Sequence, residues 1–262
     1  MNLRFPHLLL SLVILLPGCR SDEPAAENGS GGSVSTDGLS RDEQLGQLYI
    51  LVLQNQREDA EKLIRDGVQP DLHAHILLGH VAEVEALLKN GADPDAATPM
   101  SDGSPLHSAC LAGQPRIVEL LLKYKANSES NNRERKTPIF KAVHPIFVIT
   151  DGHVECVRSL LKHGASVRLL SKGADASVAP EYSAAATLAA TQNTPSVALL
   201  KAMVERGAKL DFRTENGATL LHLLPRPHYR GPFADRMQKA QLEVAEYLVV
   251  NGVPVDHADM RG

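Results

Sequence analysis

The 262-residue sequence contains no tryptophan, and five tyrosines with five phenylalanines bring aromatics to only 4%. A core built from this chain therefore has to close on small and aliphatic side chains. Cysteine is scarce as well: Cys19, Cys110 and Cys156 are the three, none in a C-x-x-C pair. That rules out a disulfide framework and gives no thiolate metal cluster. A basic excess is missing, since 27 Lys and Arg stand against 31 Asp and Glu for a net charge of −4. A nucleic-acid surface would normally show one. Long hydrophobic runs are missing too. The longest, Leu8 to Leu16, is too short to cross a bilayer as a helix, which needs about twenty apolar residues. With 43% hydrophobic and 22% charged residues, what remains reads as a soluble, helical body.

The N-terminus does not belong to that body. Arg4 is followed by the apolar run and then by Leu16-Pro17-Gly18-Cys19. A basic start, a short apolar stretch and a small residue before a cleavage point describe an export signal. This stretch resembles the lipobox of bacterial lipoproteins, with Pro17 a less usual choice. The resemblance implies that residues 1–18 are removed and that Cys19 becomes the acylated first residue. Arg20 in place of Asp would, in proteobacterial lipoproteins, favour the outer membrane. Residues 19–38 are rich in Gly, Ser and Glu and cannot bury enough apolar area to order themselves. They read as a tether spanning about 25 Å.

The rest of the chain repeats itself. Asp102-Gly103-Ser104-Pro105-Leu106-His107-Ser108-Ala109 leads to Ile117-Val118-Glu119-Leu120-Leu121-Leu122. Thr137-Pro138-Ile139-Phe140-Lys141-Ala142 leads to Gly152-His153-Val154-Glu155, and Asn216-Gly217-Ala218-Thr219-Leu220-Leu221-His222 leads to Val244-Ala245-Glu246-Tyr247-Leu248-Val249. A more degenerate copy runs through Leu72-His73 and Gly79-His80. Gly67, Gly91, Gly164, Gly207 and Gly252 recur where a second helix should end, with Lys125 in the equivalent place. The pattern resembles the ankyrin repeat, with its period of about 33 residues and Thr-Pro-Leu-His-x-Ala signature.

The resemblance implies an all-α ankyrin-repeat solenoid over residues 39–262, helix-turn-helix units joined by short β-hairpin turns. Residues 39–71 read as an N-terminal cap, opened by the capping box Ser40-Arg41-Asp42-Glu43, and about five repeats follow. Intervals longer than the period place insertions near 145–150, 171–183 and 225–238. The apolar insert Pro145 to Ile149 is expected to be packed, since exposed it would be an aggregation liability. Signature residues have structural tasks: Thr137 caps a helix whose first turn accepts Pro138, Leu106 and Leu221 point inward, and Ala109 and Ala142 permit close helix approach. The resemblance further implies that His107 and His222 hydrogen-bond across the turn, with His80 and His153 in the loop between helices.

Eleven histidines invite a metal or general-base reading. No H-E-x-x-H spacing, no P-C-x-x-C following His153-Val154-Glu155, and no nucleophile elbow or phosphate loop accompanies them. No cofactor, metal or catalytic residue is expected. Cys110 and Cys156 sit at apolar helix positions of adjacent units as small hydrophobes, with a disulfide between them left open.

Leader and repeats together point to a non-enzymatic, membrane-anchored protein–protein interaction module of the bacterial cell envelope. It would be exported, held by its lipid on the periplasmic or outer face, and would bind an unidentified protein but no nucleic acid. An envelope-tethered inhibitor or protective factor for an exported enzyme or toxin is the alternative, and an enzyme with a cryptic loop site the least supported one. Family practice puts partners on hairpin tips: Pro99, Met100, Arg133, Arg135 and Arg213. The insert adds Arg226, Tyr229, Arg230 and Phe233, residue types common at interface anchors; a loop covering the apolar end of the stack is the competing reading. Residues 256–262 look like the opening turn of a further unit, which leaves self-association through the C-terminal end open.

Overall fold

The computed structural model describes residues 38–98, 101–144, 149–166, 196–211, 218–224 and 234–255. Every regular element among them is helical. The chain divides into two compact units, Met1–Pro70 and Asp71–Gly262.

In the first unit, α1 (Arg41–Leu53) starts at the expected capping box: the Ser40 hydroxyl accepts from the Glu43 backbone N–H, and the Glu43 carboxylate accepts from the Ser40 N–H at 2.9 Å. Asn55 takes a left-handed turn (φ 60°) into α2 (Arg57–Arg65), which packs on α1. Leu48, Tyr49 and Leu51 are buried, as are Ala60 and Leu63.

The second unit is a run of short helix pairs. They are α3 (Leu72–Leu78) with α4 (Val81–Lys89), α5 (Pro105–Leu111) with α6 (Pro115–Lys123), and α7 (Pro138–Val143) with α8 (Asp151–Lys162). Beyond them come α9 (Val197–Val204), a 3₁₀ turn (Leu220–Leu223) and α10 (Ala234–Val250). First helices line up as α3, α5, α7, and second helices as α4, α6, α8, α9, each packed on the next. Helices of six to nine residues such as α5, α6 and α7 are unstable alone. Their hold is the shared core, where Leu106, Ile117, Leu121, Ile139, Leu160, Leu199, Leu200, Met203, Leu220 and Leu248 are fully buried.

Each second helix leaves by the same local device. Gly91 and Gly164 adopt φ 89° and 87°, and the next residue donates back over the last turn: Ala92 N–H to Leu87 O and Ala165 N–H to Leu160 O, both 3.0 Å. This is the Schellman pattern. Lys125 makes the same turn at φ 70° without being glycine, with Ala126 N–H donating to Leu121 O.

Two expectations need correction. His153 does not lie in an interhelix loop; α8 begins one turn earlier, at the N-cap Thr150, and His153 is its third residue. Thr137 occupies the N-cap of α7 with Pro138 next, but its side chain makes no cap hydrogen bond. In the last unit Leu221 packs against the core as expected, beside the fully buried Leu220, on a 3₁₀ turn. Of the apolar insert, Ile149 packs against the core and residues 145–148 lie outside the described residues. No described helix is long and apolar enough to cross a membrane.

Candidate functional site

The hairpin between α6 and α7 is held by one buried side chain. Asn132 accepts from the Glu134 and Lys136 backbone N–H groups at 3.0 and 2.8 Å and donates to the Asp102 carboxylate at 2.9 Å. Asp102 also accepts from Lys141 Nζ at 2.6 Å, an ion pair largely shielded from water. Burial by itself would raise the Asp102 carboxyl, but the Lys141 and Asn132 contacts outweigh it and hold it below the usual range. A polar network with its partners in place is stiff. On it stand Arg133, Glu134 and Arg135, all exposed, with Arg135 at φ 61°.

Beside this tip lies an amphipathic patch. Lys136 pairs with Glu134 at 2.6 Å and sits 4.4 Å from the Phe140 ring centroid. His144, exposed, stacks on Phe140 with centroids 5.5 Å apart and planes 9° from parallel. Phe140 stands where the units opened by Ser104 and Thr219 carry His107 and His222, so this unit has an aromatic surface in place of that hydrogen-bonding side chain.

Three buried histidines, His73, His107 and His153, are bonded at both nitrogens. His107 Nδ1 accepts from the Ser104 backbone N–H at 3.0 Å, which leaves its Nε2–H to donate to Lys136 O at 3.0 Å. His153 repeats this with Thr150 N–H and with Leu111 O, at 3.1 and 3.2 Å. His73 reaches Ser108 Oγ and Ala96 O at 2.8 and 2.7 Å, and His222 Nδ1 accepts from the Thr219 N–H. The turn-bridging role expected of His107 is therefore present, and His73 and His153 share it. Burial lowers the pKa of His73, His107 and His153, more than their carbonyl partners raise it. A neutral imidazole with both nitrogens engaged has no lone pair left for a metal or a substrate proton.

Backbone struts join successive hairpins. Asn127 N–H donates to the Asp95 carboxylate at 2.9 Å, and Ser166 N–H to Glu129 Oε1 at 2.7 Å. Asp211 stands at the equivalent place two junctions on, where the matching donor position is Pro254, which has no N–H to give.

Two other places offer less. A depression of about 250 Å³ between α6, α8 and α9 is lined by Glu119, Glu155 and Glu205 against Arg158, Lys162 and Arg206. Signs balance there, and Arg158 is already paired with Glu155 at 2.6 Å, so it has no charge preference. Cys110 and Cys156 are free and fully buried. Burial, then the hydrogen bond with Cys156, pushes the Cys110 thiol well up, which makes it a poor nucleophile. Among the described residues no group of three His, Cys, Asp or Glu could hold a metal ion.

Of the residues proposed from sequence, Arg133 and Arg135 come together, exposed, on the stiff tip. Cys19, Pro99, Met100, Arg213, Arg226, Tyr229, Arg230 and Phe233 lie outside the described residues. Sequence reasoning placed Asp102 in a tight turn and Asn132 at a hairpin tip without giving either side chain a role, and passed over Lys141, Phe140 and His144. Phe140 was detectable as a departure from the signature, and Asn132 as a residue type that folds turns onto its own backbone. The arrangement can grip a carboxylate through arginine forks and lay an apolar group on an aromatic ring. Nothing in it pairs a nucleophile with a base.

A protein-family model for ankyrin repeats matches residues 72–169 and reads them as three copies. That stretch runs from α3 to the end of α8 and contains the whole tip. Ankyrin repeats form a protein–protein interaction module, an extended stack whose surface binds partners.

Proposed function

We propose that this protein is a lipid-anchored interaction module of a bacterial cell envelope, holding a protein partner through the hairpin tip at Arg133 and Arg135. One observation carries the choice of surface: both arginines are exposed on a loop already fixed by Asn132. A pre-ordered tip loses little entropy when a partner docks, and arginine is enriched at interface anchors. With Lys141 and Lys136 paired to Asp102 and Glu134, Arg133 and Arg135 leave this edge net positive, which favours an acidic partner surface. Support for the anchor is the leader ending in Gly18-Cys19. Each buried methylene of an acyl chain contributes about 0.8 kcal/mol, so more than one chain is needed for durable attachment.

The two parts are tested separately. Labelled palmitate should enter the wild-type chain and be lost in Cys19→Ala, which should also leave the membrane fraction; a Cys19→Ala chain that stays fully membrane-bound disproves the anchor. For the tip, Arg133→Ala with Arg135→Ala should change stability by less than about 0.5 kcal/mol, as exposed substitutions do. Capture of the partner by cross-linking in native membranes should fall at least about tenfold, the loss expected for two anchor residues. Capture unchanged in a folded double variant removes the tip from the interface.

A further inference from the structure

Beyond Cys19 the chain holds only two cysteines, Cys110 and Cys156, and the fold brings them together. Cys110 is the sixth residue of α5 and Cys156 the sixth of α8, helices of adjacent repeats that pack on each other. Both side chains are fully buried, and the two thiols are hydrogen-bonded to one another. The repeat shows what these places otherwise hold. Cys110 lies six residues after the N-cap of its helix, and in the next repeat that position is Val143. Cys156 lies eight residues before the closing turn of its helix, where the flanking second helices carry Ile117 and Leu199. All three aliphatic residues are buried. A cysteine in either place gives up aliphatic volume in a packed core, which carries a cost. Two such exchanges meeting at one contact, with no other cysteine in the body of the chain, point to the bond that two thiols can form and two aliphatic side chains cannot.

We propose that Cys110 and Cys156 are a disulfide-forming pair, joined when the chain folds in the presence of a disulfide donor. That they are joined in the cell rests on the export read from the leader, because a cytosolic thiol pool keeps such pairs reduced. The donor is a protein or small-molecule disulfide of the exported compartment. One cysteine thiolate attacks a donor sulfur and forms a mixed disulfide, while the other half of the donor leaves as a thiol. The second thiolate then attacks the chain's own sulfur in that mixed disulfide and releases the remaining half. Two thiols of the chain are thereby oxidised to one S–S bond, the donor S–S bond is reduced to two thiols, and the chain's two protons end on them. In the folded, reduced chain burial closes both sulfurs to a donor, so the exchange precedes the final closing of α8 on α5. The bond closes a loop that contains Arg133 and Arg135, and a closed loop restricts the unfolded chain. It ties together the repeats on either side of the tip.

The test takes the full chain from native membranes, quenches it in acid, unfolds it, and blocks free thiols with N-ethylmaleimide before digestion and mass spectrometry. The peptides carrying Cys110 and Cys156 should be recovered joined and unblocked in most molecules, and should separate on reduction. The same spectra report acyl groups on Cys19. Both cysteines blocked in chains whose Cys19 is acylated overturns the proposal and leaves the anchor standing. Missing acylation counts against the anchor instead, and the pair is then judged by refolding. In that arm the Cys19→Ala chain is reduced, unfolded in urea and refolded with oxidised glutathione. The link between Cys110 and Cys156 should form there, with a urea midpoint about 1 M above that of the chain refolded with reduced glutathione. Thiols that remain open to N-ethylmaleimide, or that carry glutathione instead of each other, overturn the proposal. So does a linked chain that loses its helical circular dichroism or unfolds at a lower midpoint, because the two sites would then not accommodate the bond.

Discussion

Replacing Gly152 by alanine is expected to destabilise the second unit by about 3 kcal/mol or more, against the direction that helix propensity alone would give. Gly152 is the second residue of α8, and alanine in a helix interior is favoured over glycine by about 1 kcal/mol. The added methyl, however, would fall well inside contact distance of the Gly113 carbonyl oxygen. That atom is backbone, in a turn at φ 61° closed by Gly113 N–H to Cys110 O, and cannot rotate away like a side chain. Relief requires α8 to withdraw from the α5–α6 turn, and the first bond to lengthen is His153 Nε2 to Leu111 O. Urea unfolding of the variant, with the slope checked for constancy, reads the effect. A midpoint equal to or above wild type would show that the close approach of α8 to this turn does not exist in solution.

Acid should act on the same unit with comparable force. His73, His107 and His153 are buried and have folded-state pKa values below the ordinary one near 6.5. For such groups the unfolded chain binds protons that the folded chain refuses, so stability is full above about pH 6.5 and falls as pH drops below it. The slope is about 1.4 kcal/mol per pH unit for each histidine, hence up to roughly 4 kcal/mol per unit while all three resist protonation. Protonating Nδ1 of His107 or His153 also removes the acceptor for Ser104 N–H or Thr150 N–H, which couples the charge to the helix starts. Urea midpoints at pH 7.5, 6.0 and 5.0 should decrease steadily. Asp102, held low by Lys141, acts in the same sense but in a separate window, its contribution being lost as pH falls below the ordinary carboxylate range, where the unfolded chain takes up the proton first. A midpoint unchanged from pH 7.5 to 5.0 would mean that the imidazoles are not buried as described.

How far the chain could be read without coordinates follows from the range of each signal. Helix starts and stops were legible because their chemistry lies within about five residues: Ser40 with Glu43, Gly91 with the carbonyls of the preceding turn, Pro105 in a first turn. The repeat of such local signals is enough to specify a stack of helix pairs. Arg133 and Arg135 could be placed at a tip by the same counting. Three features lay beyond it. Phe140 and His144 form a surface with Lys136 only after the hairpin folds back on α7. His153 carries the same Thr-x-x-His spacing as Thr219 to His222, yet an insertion before it hid the earlier start of α8, so its bond to Leu111 depended on where α8 settles against α5. The exposure of Val249 is the clearest case. Leu248 precedes it as Leu121 and Leu160 precede the buried Leu122 and Leu161, and burial is set by whether another helix lies against that side. Hydrogen-bonded turns are properties of a few consecutive residues, whereas burial is a relation between segments a full repeat apart, and only packing settles which apolar side chains still face water.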